Sequence, residues 1–137
     1  MQTAPPNFES SSTASAGSVG KSSTGLDANV AALLAYLFSW VSGLIFLVVE
    51  KESRFVRFHA MQSTLLGAAA MVCFFGLSVI TSMMAFISVT LAVVVSFLGS
   101  AIGLAFFVIS IVCMIKAYQG QQFRLPVIGD IAAKNAK

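Results

Sequence analysis

The sequence predicts an all-α integral membrane helical bundle, and three observations lead there. Of 137 residues, 58% are hydrophobic and only 9% are charged, whereas soluble domains carry about 25% charged residues. The mean hydropathy of +0.91 implies more apolar surface than so short a soluble fold buries. The apolar residues also fall in runs long enough to cross a bilayer. One domain fits the length. A net charge of +3 is too small and too scattered for a nucleic-acid footprint, so the basic residues are read as topology signals.

Residues 1–25 differ from all that follows. They hold seven serines, Pro5, Pro6, three glycines and only two charges. Nothing there repeats at helical or strand period, and little of it repays the entropy of ordering. This segment reads as a disordered Ser-rich tail, leaving 26–137 as a single transmembrane domain. With no basic start and no apolar run close behind it, the tail does not read as a signal peptide.

Ala28 to Val49 is a run of 22 uncharged residues, roughly 33 Å of helix against a hydrocarbon core of about 30 Å. Thr24 and Asp27 are the expected caps at its start. The polar cluster Glu50–His59 follows, and then no Asp, Glu, Lys or Arg appears until Lys116. That gap holds two spans and a turn of about ten residues, best placed at Thr81-Ser82 or at Ser88-Val89-Thr90. Three transmembrane helices are expected, near 28–49, 58–80 and 91–117. The C-terminal tail, half apolar and interrupted by Pro126 and Gly129, either lies on the membrane surface or folds back onto the bundle.

Three spans place the cluster at 50–59 and the C-terminal tail on one side. That side carries seven cations (Lys51, Arg54, Arg57, Lys116, Arg124, Lys134 and Lys137), against Lys21 alone on the other. Cytoplasmic flanks are enriched in Lys and Arg, so the expected orientation is N-terminus out and C-terminus in, in the inner membrane.

Helices in lipid associate through close packing of small residues. Gly67 on the second span, with Gly99 and Gly103 as a GxxxG pair on the third, are the candidate packing positions. They either seat the helices of one chain together or form a subunit contact. Cys73 and Cys113 lie at different depths and read as packing residues, with no disulfide between them. One His and no paired Cys motif exclude a metal site of ordinary spacing, and no cofactor is expected. No span contains a charged residue, which argues against a proton or ion relay, and no enzymatic activity is expected. One constellation stands out. Arg54 and Arg57 sit just outside the start of the second span, three apart, while His59, Gln62 and Ser63 share a face at i, i+3 and i+4. As a site, Arg54, Arg57, His59 and Gln62 would hold an anionic lipid headgroup or a partner's carboxylate; otherwise they form an interfacial collar.

At these residues a resemblance emerges. The run Val49–Ser63, then Met114-Ile115-Lys116-Ala117-Tyr118-Gln119-Gly120, then Leu125-Pro126-Val127-Ile128-Gly129-Asp130-Ile131-Ala132 resembles a family of small bacterial membrane proteins, a domain of unknown function. It is similar to the Tic-twenty-type component of chloroplast import and to the magnetosome proteins MamF and MmsF. The likeness covers roughly residues 25–134. It implies a structural or scaffold component acting through helix and lipid contacts, as a homo-oligomer or with a membrane protein partner. The alternative it implies is a subunit of an oligomeric translocation or pore complex.

Overall fold

A computed structural model describes residues 19–38 and 40–136. Five helices run in order: α1 (Ala28–Leu37), α2 (Trp40–Val49), α3 (Arg54–Ile87), α4 (Val89–Tyr118) and α5 (Ile128–Asn135). Helices α3 and α4 are the two long and apolar enough to cross a membrane. At 34 and 30 residues they extend roughly 51 and 45 Å.

The reversal between them is one residue, Ser88, in extended conformation with φ −161°. Its N–H donates to the Met84 carbonyl (2.8 Å), and its own carbonyl accepts from Ala92 (3.1 Å). Of the two places expected for the turn, the second is therefore the right one, but the ten-residue loop is absent. Met83 to Leu91 contains no Gly, Pro or charge, so nothing ends either helix before the turn and both run past their expected bounds.

The single helix expected over 28–49 is two. Helix α1 ends at Leu37, with Phe38 as its C-cap, and α2 begins at Trp40. Hydroxyls stabilise the break. Ser42 Oγ donates to the Ala35 carbonyl at 2.9 Å and accepts the Phe38 N–H at 3.1 Å. From α3, Ser63 Oγ donates to that same carbonyl at 2.6 Å. Backbone groups freed at an interruption thus find partners inside the protein, a condition that lipid imposes.

Helices α1 and α2 double back on each other, each roughly 15 Å long. Their outer ends meet at Glu50, whose carboxylate accepts from the Ser23 N–H (3.0 Å), the Ser23 hydroxyl (2.5 Å), the Ser22 hydroxyl and the Glu52 and Ser53 N–H groups (3.1 and 3.0 Å). Asn29 Nδ2 donates to the Tyr118 carbonyl at 2.8 Å, tying the start of α1 to the end of α4. The chain's entry into α1, the 50–53 loop, the start of α3 and the end of α4 therefore share one end of the molecule. The expected three spans, with an N-terminus opposite the C-terminal tail, find no support in this arrangement, because neither α1 nor α2 is long enough to cross alone. Lys21, placed alone by that reading, sits at the same end as the other described cations, paired through its backbone with Asp27. Lys137 lies outside the described residues.

The tail expected over 1–25 divides likewise. Residues 1–18 are outside the described residues, while 19–25 join the folded part through Ser22, Ser23 and the Val19 N–H, which donates to Asn29 Oδ1 at 3.1 Å. Asp27 is the N-cap of α1 without a side-chain cap bond. Ser53, not singled out from sequence, caps α3 by accepting from the Val56 N–H.

The core lies at this polar end. Ala28, Ala31, Ala32 and Tyr36 of α1 pack against Phe55, Val56 and Leu66 of α3 and Cys113 and Ala117 of α4; alanines let α1 settle closely between the two long helices. Gly43 lets α2 approach α3, since a Cβ there would meet Thr64 Oγ1, the Ala60 carbonyl and Ser63 Oγ at 2.8–3.0 Å. Beyond Gly67, α3 and α4 continue as a bare hairpin, with Phe75 75% and Phe86 93% exposed, a surface suited to lipid. Helix α5 folds back onto α3, where Ala132 and Ala136 cover Phe58 beside Met61 and Leu65.

Candidate functional site

The structure divides the constellation singled out from sequence. His59 and Gln62 are fully buried and point inward between α1, α4 and the strap formed by residues 119–127. His59 lies among three rings, with centroids 4.6 Å from Phe55, 5.1 Å from Phe58 and 5.8 Å from Tyr36. Its Nδ1 is 3.2 Å from the Tyr36 hydroxyl and its Nε2 3.1 Å from the Gln121 carbonyl. Gln62 Nε2 donates to the Tyr36 hydroxyl (2.9 Å) and the Phe123 carbonyl (3.0 Å), with Cys113 Sγ at 3.7 Å. Its Oε1 accepts from the Leu125 N–H at 3.3 Å. Every polar atom of these two side chains has a partner, as burial requires. They fasten the strap to the bundle and are closed to a headgroup. The shared face read from their spacing is real, but it faces the core.

Arg54 remains outside. It lines a cavity of about 290 Å³ with Phe58 of α3, Gln122 and Arg124 of the strap, Ala133 of α5 and Ala136 just after it. From sequence, Arg124 counted only as a topology cation and Gln122 not at all, since they stand more than sixty positions from Arg54 and only the folded-back strap joins them. Arg57, three residues after Arg54 on α3, does not line it; its Nε is buried with no hydrogen-bond partner among the described residues. The backbone of Arg124 is fixed on both sides, because Gln62 bonds the residue before it and the residue after it. Gly129 adds a close approach: a Cβ there would lie 2.8 Å from Arg124 Cα.

Among the packing candidates, Gly67 is buried on α3. Gly103 faces Phe74, whose ring tip would be 2.9 Å from an added Cβ, while at Gly99 the nearest atom is Leu77 Cδ1 at 3.9 Å. Both α4 glycines look onto α3 of the same chain. Cys73 is exposed and Cys113 buried, both free thiols. Among the described residues, no group of three or more His, Cys, Asp or Glu is placed to hold a metal ion.

The profile of the magnetosome magnetite crystal formation protein family matches residues 24–132. A UPF0132 membrane protein of Methanocaldococcus jannaschii is 46% identical over 114 residues, covering 83% of this chain and 93% of its own length. One from Archaeoglobus fulgidus is 44% identical over 104 residues, 76% and 90% of the two chains. A second from M. jannaschii is 43% identical over 111 residues, 80% and 71% of the two chains. No solved structure matches. These relatives are archaeal, so the expected restriction to bacteria is not supported. They are named as membrane proteins without a molecular activity, which agrees with two long apolar helices. The chain is a membrane protein in contact with the lipid bilayer, and it belongs to the magnetosome magnetite crystal formation protein family.

Proposed function

We propose that this protein is a structural component that shapes the membrane around it, without catalysis. In this reading it crosses the cell (inner) membrane twice, through α3 and α4, while α1 and α2 form a re-entrant pair reaching mid-bilayer. Both ends of the chain then face the cytoplasm. The positive-inside tendency supports that side, because the described Lys and Arg residues gather at one end.

One observation carries the membrane-shaping role. The uncharged part of α3, Phe58 to Ile87, is 30 residues, roughly 45 Å. A hydrocarbon core is about 30 Å, and spans tilt by about 0–40°. The hairpin fits only by tilting near the top of that range or beyond, or by thickening the bilayer locally. Its tip, with Phe86, Ile87 and Val89 exposed, carries nothing polar enough to favour standing in water. Many copies would impose this mismatch on a patch of membrane, a role we offer for a family named for magnetosome magnetite crystal formation.

Reconstitution tests it. In vesicles of monounsaturated phosphatidylcholines from myristoleoyl to erucoyl, the protein should be most heat-stable in the thickest bilayers and should thicken the thinnest ones, as read by X-ray scattering. Indifference to chain length would overturn the role. Maleimide labelling tests the topology: Lys21→Cys, Glu52→Cys and Asn135→Cys should label from one side and Ser88→Cys from the other or not at all.

A second reading, a subunit of an oligomeric translocation or pore complex, draws on a different feature. In the bare hairpin, Ser78, Thr81 and Ser82 of α3 face Ser96 and Ser100 of α4 around a cleft of about 380 Å³. Such a hydroxyl seam would line a polar path only if several copies enclosed it, because two helices alone surround no lumen. Native mass spectrometry from nanodiscs separates the readings, since a monomer sinks the pore.

A further inference from the structure

We propose that the cavity between α3, the strap and α5 binds a phosphate group, presented by an anionic phospholipid headgroup. The inference rests on the membrane reading above and adds the ligand class that the polar end would take.

Two arginines line this cavity from different parts of the chain, Arg54 in the first turn of α3 and Arg124 in the strap, and Gln122 lines it with them. A guanidinium offers five N–H donors in a planar fork that matches the paired oxygens of a phosphate. Arg57, three residues after Arg54 on α3, has a buried Nε with no hydrogen-bond partner among the described residues. The N-terminus of α3 adds its own partial positive charge. The other described lining residues, Phe58, Ala133 and Ala136, are apolar, a surface for the glycerol and first methylenes of a lipid. The cavity also lies at the charged end of two membrane-length helices, the end that meets the headgroup layer in the membrane reading above.

The site is also built rather than incidental. Arg124 is exposed, yet its backbone is bracketed by the two Gln62 bonds to Phe123 and Leu125 and pressed by Gly129. A fully buried side chain therefore fixes the backbone from which the Arg124 guanidinium extends. Preorganisation of this kind lowers the entropy lost on binding.

The test uses the full chain in nanodiscs containing phosphatidylglycerol and phosphatidylcholine, with retained lipid counted by native mass spectrometry. The wild type should retain phosphatidylglycerol preferentially. The double variant Arg54→Gln/Arg124→Gln should lose that preference by about tenfold or more, while Lys51→Gln, which removes one charge from the same end outside the cavity, should keep it. Arg54→Lys/Arg124→Lys keeps the charge without the fork and should fall between. Equal loss in the double variant and in Lys51→Gln, or no loss in either, overturns the proposal. A second arm adds inorganic phosphate: displacement of the lipid supports the site and makes free phosphate a rival occupant, whereas no displacement assigns it to the lipid. A wild type with neither lipid preference nor phosphate binding overturns it. Release of the wild type from membranes by alkaline carbonate would instead defeat the membrane reading, so the two failures are distinguishable.

Discussion

Glu50 and Ser23 close the mouth of a helical pair that enters and leaves from the same end. The Glu50 carboxylate accepts both the backbone N–H and the hydroxyl of Ser23, and the Ser23 hydroxyl in turn accepts from the Lys51 and Glu52 N–H groups at 3.0 and 3.1 Å. A segment before α1 and the loop after α2 are thereby joined by bonds that a straight span over 28–49 would place far apart.

This clasp should be pH-sensitive. Burial pushes the Glu50 carboxyl up, but the Ser22 and Ser23 hydroxyls and the Ser53 and Ser23 N–H groups outweigh it and hold the pKa down to about 2, from an ordinary 4.5. A carboxylate whose pKa is depressed by folding contributes stability that is complete above its unfolded pKa and is lost as pH falls toward its folded one. The loss should therefore fall between about pH 5 and pH 2, on the order of 1–2 kcal/mol after allowing for solvent screening. Thermal unfolding in detergent should show Glu50→Gln less stable than wild type near pH 7 and the difference vanishing near pH 2. A constant difference across that range would contradict this.

Two glycines should respond in opposite ways. Gly43→Ala forces a methyl group to within 2.9 Å of the Ala60 carbonyl, a backbone atom that cannot swing aside, so a loss of about 1–3 kcal/mol is expected. At Gly99 the nearest atom is 3.9 Å away, and alanine is the better helix former by about 1 kcal/mol. Gly99→Ala should be neutral or stabilising in chemical or thermal unfolding. If it instead breaks an oligomer, the GxxxG pair is a subunit contact.

Interruption of the helix at Phe38 depends on hydroxyls. Ser42→Ala removes one donor to the Ala35 carbonyl and the acceptor of the Phe38 N–H, while Ser63→Ala removes the other donor. Each should cost about 1–2 kcal/mol. Because both serve one carbonyl, the double variant should lose more than the sum, as a double-mutant cycle would reveal.

Gln62 should control the strap. Gln62→Leu keeps the volume but leaves the Phe123 carbonyl, the Leu125 N–H and the Tyr36 hydroxyl without that partner, at about 1–3 kcal/mol for each buried group left unsatisfied. Hydrogen exchange should rise across residues 120–127, and proteolysis there should quicken. Unchanged exchange would mean that α5 packing alone holds the strap.

The chain's membrane character, its all-helical class and the uncharged stretch from His59 to Ile115 follow from sequence, because transfer into lipid is summed residue by residue and needs no knowledge of contacts. The turn near Ser88 and the gathering of cations around Arg54 are visible there too. What hydropathy does not encode is whether 22 apolar residues run straight or fold in two, since both forms expose similar side chains to lipid. Tertiary contacts decided that: Ser63 on α3 supplies a donor for the Ala35 carbonyl at the break, and Glu50 finds Ser22 and Ser23. The same limit applies to the polar end. The spacing of His59 and Gln62 assigns them a shared helix face, but only the folded-back strap decides that this face is interior. That strap also brings Arg124 to Arg54 across a separation that no local pattern spans.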